Sequence, residues 1–229
     1  MKMNLPNKLT CLRVIMIPFF VIAMILSLRL SSVTVALIGE DVGAMAYGTG
    51  ALGGAFGVYG LRHAAIVGDP GADPFVMWRR IAFVIFCLAS FTDFLDGYIA
   101  RKNNLVTDFG KFMDPLADKL LVCSALILLT AEGSLPAWVV IIIIAREFII
   151  SGFRLVAADN GIVIAASWWG KFKTVSQMLL CMLLILPKLP MIVGDAVITV
   201  MTAIVVLLTL ISLIDYMTKN IKVITEGGM

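Results

Sequence analysis

One pattern repeats along the chain: an apolar run of bilayer-crossing length, a short polar break, and another run. The runs extend from Leu9 to about Leu30, Trp78 to Ala100, Lys111 to Thr130, Leu135 to Val156, Trp168 to Leu186 and Met191 to Tyr216. A helix needs ~20 apolar residues to cross the hydrocarbon of a bilayer, and each run reaches or approaches that length. Hydrophobic residues make up 61% of the chain and charged ones only 14%, which leaves too little polar surface to cover a soluble core. The expected fold is all-α: a polytopic membrane protein with six transmembrane helices, formed by residues 1–229 as a single membrane domain.

The loops supply an orientation. With both termini in the cytoplasm, six spans put Lys2, Lys8, Arg101, Lys102, Lys111, Arg154, Lys171, Lys173, Lys219 and Lys222 at the inner face. Arg29, Arg62, Arg79, Arg80 and Lys188 fall outside. That excess of inner lysine and arginine is the positive-inside bias. A seventh span between residues 44 and 66 would move the N-terminus outside and break the agreement. A signal peptide at the start is disfavoured, because the first run is too long for an h-region and Pro6-Asn7 opens it as a helix start. Arg13, inside the first turns, can snorkel to the interface.

Residues 40–75 read as a Gly-rich insertion. Gly48, Gly50 and Gly53 fit G-x-G-x-x-G, but the strand before and helix after that a dinucleotide fold requires are missing. A small-residue helix hairpin or a loop on the membrane fits better. Cys11, Cys87, Cys123 and Cys181 lie far apart in apolar runs and read as small buried hydrophobes. His63 is the only histidine, which excludes a histidine metal site or triad. A net charge of +3 is too modest to indicate a nucleic-acid partner.

The chemistry concentrates between Asp93 and Asp118. Asp93, Asp96, Gly97 and Ala100 fall at i, i+3, i+4 and i+7 of one helix, and so share a face. Asp114 and Asp118, at i and i+4, share a face of the next. The connection is short and polar, so the two helices are antiparallel neighbours and their acidic faces can meet near one membrane surface. Four gathered carboxylates cannot all stay ionised unpaired. Divalent cations relieve that repulsion, and ligand sets of carboxylate alone suit Mg²⁺ or Mn²⁺. Arg101 shares a face with Asp93 and Gly97 and can reach a phosphate. Gly97 and Ala100 leave room for a nucleotide, and Gly110 opens the entry to the second helix.

The full spacing, D-x2-D-G-x2-A-R-x8-G-x3-D-x3-D, resembles the signature of the CDP-alcohol phosphatidyltransferase family at all eight defined positions. The stretches NLPNKLTCLRVIMIP, AREFIISGFR and WWGKFKT are similar to the branch whose acceptor is glycerol 3-phosphate. The likeness spans roughly residues 4–30 and 78–220. It implies transfer of a phosphatidyl group from CDP-diacylglycerol to an alcohol with loss of CMP, at the cytoplasmic face of the cell membrane. It further implies two ions per site, Mg²⁺ or Mn²⁺, held by Asp93, Asp96 and Asp114, with Asp118 completing the second site and acting as general base. A homodimer is also implied.

A second constellation is basic. Arg146 lies deep in an apolar run, Arg154 follows eight residues on, and Lys171 and Lys173 open the next helix. Together they could hold the phosphate of glycerol 3-phosphate; surface anchoring is the plainer alternative for Arg154 and the lysines. Glu147 adjoins Arg146 but is expected on another side of the helix. Asn7 and Thr10, with Arg13, could contact the nucleotide or diphosphate, or simply cap and anchor the first helix. Trp138, Trp168 and Trp169 read as interfacial belt residues. Other acceptors of the same chemistry are serine, inositol phosphate or a phospholipid. A cation channel or transporter is the competing class, but it would spread its acidic residues along a path through the bilayer.

Overall fold

The computed structural model describes the backbone of residues 5–38, 74–103, 108–159, 167–186 and 194–226. Side chains are described for a smaller set, which leaves out residues 5–7, 31–38, 74–75, 93–103, 108–112, 114–115, 159, 195 and 221–226. Among the described residues there are six helices and no strand: α1 Leu5–Ile38, α2 Pro74–Asn103, α3 Asp108–Ala131, α4 Ala137–Asp159, α5 Trp168–Ile185 and α6 Asp195–Glu226. Each expected run is a helix. Two helices run past their expected ends: α6 continues to Glu226 where Tyr216 was expected, and α1 to Ile38 where a stop near Leu30 was expected. Beyond Leu30 the polar Ser31 and Ser32 are followed by the mostly apolar Val33–Ile38, which sustain the helix. Most of the Gly-rich stretch 40–75, including Gly48, Gly50 and Gly53, lies outside the described residues.

Burial follows a pattern that water would not select. On α1, Thr10, Arg13, Ile17, Phe20, Met24 and Ser27 form one buried stripe, while Leu12, Ile15, Phe19, Ile22 and Ile25 are exposed. On α6, Thr202, Thr209 and Ser212 are buried, while Val197, Val200, Ile204, Leu207, Leu210, Ile211 and Ile214 are exposed. These hydroxyls and Arg13 are inside among apolar neighbours, while many large apolar side chains face outward, as hydrocarbon surroundings allow. Thr202 and Thr209 satisfy their hydroxyls by donating to the carbonyls of Ile198 (2.8 Å) and Val205 (2.6 Å) of their own helix. Among the described residues, two helical stretches are long and apolar enough to cross a bilayer on length and composition alone, Lys8–Leu30 and Ala196–Asn220. The four other helices bring charged residues into or beside their apolar runs.

The helices form two compact units. One comprises α1, α2 and α3 with the end of α5; the other comprises α4, the first part of α5 and α6. In the first unit α1 lies along α2 and also meets α3, with Phe20 and Phe86 at 5.6 Å between ring centroids. In the second, α4 packs on α6.

The first unit is closed at one end by Arg79. Its guanidinium pairs with Glu132 and donates to the carbonyls of Leu184 and Ile185 at the end of α5. Glu132 follows α3 directly, where Gly133 (φ 78°) turns the chain. Gly133 N–H donates to the Thr130 carbonyl (2.9 Å) and Ser134 N–H to that of Leu129 (2.8 Å), a Schellman cap followed by Pro136. A carboxylate and bare carbonyls at helix C-termini both carry negative charge, and one arginine meets both. Arg79 is therefore buried and paired, where the sequence placed it among the outer-face charges.

Candidate active site

The acidic positions lie on the first unit. Residues 93–101 occupy the last turns of α2, and Gly110, Asp114 and Asp118 the first turns of α3, with only residues 104–107 between the helices. On α2 the buried stripe Ala82, Phe86, Ala89 advances in steps of four and three, and continued it reaches positions 93, 96 and 100. Exposed Leu88 and Phe91 mark the opposite face. On α3, positions 114 and 118 align with buried Ala117 and Leu121. The side chains of Asp93, Asp96, Gly97, Ala100, Arg101, Gly110, Asp114 and Asn7 lie outside the described residues. The Asp118 side chain is half-buried and engaged in a polar interaction.

Thr10 and Arg13 are buried on the same stripe of α1 that carries Phe20. Arg13 does not snorkel as expected; the inward face of α1 holds it, with none of its surface exposed.

The basic residues belong to the second unit, where the structure brings two of the four together. Arg146 Nη1 donates to Glu147 Oε1 at 2.8 Å, and Lys173 Nζ donates to the same oxygen. The expectation that Glu147 faces away is corrected: consecutive side chains do diverge, but the long guanidinium arm turns back to reach its neighbour. One carboxylate thus offsets part of two buried cations, leaving a formal charge of +1 on the trio. Arg146 Nη2 donates to Ser212 Oγ on α6. Among the described residues Arg146 Nε has no hydrogen-bond partner.

Two local devices make room. Ser167 caps α5, its hydroxyl accepting from Gly170 N–H at 3.2 Å, which sets the register that points Lys173 inward. A Cβ at Gly170 would lie 3.3 Å from Arg146 Nη2 and 3.7 Å from Ser212 Oγ. The missing side chain is the space that the guanidinium fills.

Arg154 and Lys171 are placed differently. Both are exposed. The Arg154 guanidinium carbon lies 5.8 Å from the Tyr216 ring centroid, and Phe153 meets that ring edge-on at 6.3 Å. Lys171 sits 4.5 Å over Trp168, the arrangement of an interfacial anchor. Trp138, Trp168 and Trp169 are exposed, as belt residues are. Sequence reasoning missed Ser212, Tyr216 and Gly170. The first two carried a faint signal as polar residues ending an otherwise apolar run; Gly170 lay within the WWGKFKT stretch, but nothing local marked it as clearance for Arg146.

The sequence matches the profile of the CDP-alcohol phosphatidyltransferases over residues 65–216. It is 38% identical over 218 residues to the Bacillus subtilis CDP-diacylglycerol–glycerol-3-phosphate 3-phosphatidyltransferase, covering 95% of each chain. It is 38% identical over 184 residues to the Haemophilus influenzae protein of the same name, covering 78% of this chain and 74% of that one.

Proposed function

The chain belongs to the CDP-alcohol phosphatidyltransferases, and we propose that it transfers the phosphatidyl group of CDP-diacylglycerol to sn-glycerol 3-phosphate in phospholipid synthesis. The acceptor hydroxyl attacks the phosphatidyl phosphorus, the bond to the CMP phosphate breaks, and phosphatidylglycerophosphate and CMP leave. What supports this reading is the acidic spacing together with the backbone order of one unit, which carries positions 93–101 at the end of α2 and 110–118 at the start of α3.

Four carboxylates without histidine or thiolate are the donor set of hard divalent ions. Asp93, Asp96, Asp114 and Asp118 would hold two Mg²⁺ or Mn²⁺, which when bound neutralise the diphosphate and the departing phosphate. Asp118 takes the proton of the acceptor hydroxyl. Arg101 meets the diphosphate, Gly97, Ala100 and Gly110 admit the nucleotide, and Asn7 and Thr10 contact it from α1. Arg146, Arg154, Lys171 and Lys173 receive the acceptor phosphate. The positive balance of the Arg146–Glu147–Lys173 trio favours a phosphorylated acceptor over serine. Inositol phosphate or a phospholipid would suit the same charge.

Six spans with cytoplasmic termini and a cytoplasmic site accord with two contacts. Arg79 gathers the start of α2 and the ends of α3 and α5 at one end, as alternating crossings require. Along α4 and α6 the contacts advance together, Arg146 with Ser212 and then Arg154 with Tyr216, as two helices of like direction require. A homodimer completes the proposal.

Purified protein in Mg²⁺ with both substrates tests it. Asp93→Asn and Asp114→Asn should abolish CMP release; near-normal turnover in either would remove the metal assignment. Free serine preferred over glycerol 3-phosphate would overturn the acceptor.

A further inference from the structure

We infer that α6 is a positioning helix for the acceptor arginines: Ser212 fixes Arg146 and Tyr216 fixes Arg154, an inference that rests on the acceptor-phosphate reading above. Ser212 and Tyr216 are one turn apart on α6 and are both buried. Arg146 and Arg154 are eight residues apart on α4, about two turns, and so share a face. The two arginines are separated by about 12 Å of helix and their partners by about 6 Å, a difference that two long side chains span.

Ser212 is distinct among the buried hydroxyls of its helix. Thr202 and Thr209 donate to carbonyls four residues back, whereas Ser212 receives the Arg146 guanidinium. With Nη1 on Glu147 and Nη2 on Ser212, the guanidinium is fixed at two corners. Its Nε remains, among the described residues, a buried donor without a partner. Gly170 supplies the clearance on the third side. Tyr216 works through its ring: the face lies under Arg154, Phe153 braces the edge, and the hydroxyl has no partner among the described residues. A flexible cation held in place before the ligand arrives loses less freedom on binding, so the gain falls on affinity for the acceptor.

The test is steady-state kinetics of the full chain in mixed micelles, with glycerol 3-phosphate varied at saturating CDP-diacylglycerol. Ser212→Ala should raise the KM for glycerol 3-phosphate roughly tenfold, the scale of a hydrogen bond to a charged group. Tyr216→Leu should raise it about threefold to fivefold, the scale of a partly exposed cation–π contact. The KM for CDP-diacylglycerol should not move. Ser212→Thr and Tyr216→Phe, which keep the hydroxyl and the ring, should recover most of the loss. Unchanged acceptor KM in both Ser212→Ala and Tyr216→Leu overturns the inference, as does a Tyr216→Phe variant as impaired as Tyr216→Leu. Arg146→Ala and Arg154→Ala separate the two levels. If they too leave the acceptor KM unchanged, the acceptor assignment itself fails; if they raise it and the α6 variants do not, only the positioning role fails.

Discussion

Glu147 is the residue on which the basic cluster depends. Without it, Arg146 and Lys173 would be two buried cations facing one another, and like charges at that depth repel strongly. Glu147→Gln should therefore cost stability, about 3 kcal/mol on the scale of broken buried pairs. It should also create a demand for an external anion. Inorganic phosphate at millimolar concentration should raise the melting temperature of Glu147→Gln by more than it raises that of the unaltered protein. Equal melting with and without phosphate in both proteins would mean that the carboxylate is not the counter-charge. This part of the site was half legible. Arg146 in an apolar run announced the need for a partner, but spacing rules describe where side chains leave the helix and not where a long one ends. The cation was therefore readable, and its neighbouring partner was misassigned.

At the scale of elements, helix positions were legible because apolar runs and their breaks are properties of sequence alone. Gly133 with Pro136 marks the end of α3 as clearly as any signal in the chain. What lies across from a helix end is not local, and so the Arg79 junction was invisible: Arg79, Glu132 and Ile185 are far apart in sequence. Arg79→Leu should destabilise the fold by about 3–5 kcal/mol, since it removes a buried counter-charge from Glu132 and the donors to the end of α5. The double variant Arg79→Leu, Glu132→Leu should recover part of that loss, because the buried carboxylate is gone while the α5 carbonyls still lack the guanidinium. Thermal unfolding in detergent measures both. A double variant no more stable than Arg79→Leu alone would place the whole cost on the carbonyls.

For the whole molecule, the inverted burial pattern and the paired contacts of α6 with α4 turn the crossing count into a question of parity. If α1 to α6 each cross once and residues 39–73 do not, the two ends share a side. A crossing within 44–66 would put them on opposite sides. Single cysteines report this directly. Lys2→Cys and Lys219→Cys should react with a membrane-impermeant maleimide from the cytoplasmic side, and Lys188→Cys from the other. Cys11, Cys87, Cys123 and Cys181 lie within helices and form the background to subtract. Lys2→Cys and Lys219→Cys labelled from opposite sides would require an odd number of crossings; with Lys219→Cys as the one labelled from outside, α2 and α3 would be turned end for end. Asp93, Asp96, Asp114 and Asp118 would then lie at the outer surface, away from cytoplasmic glycerol 3-phosphate. The position of the carboxylates relative to their substrate thus depends on a stretch that contributes none of them.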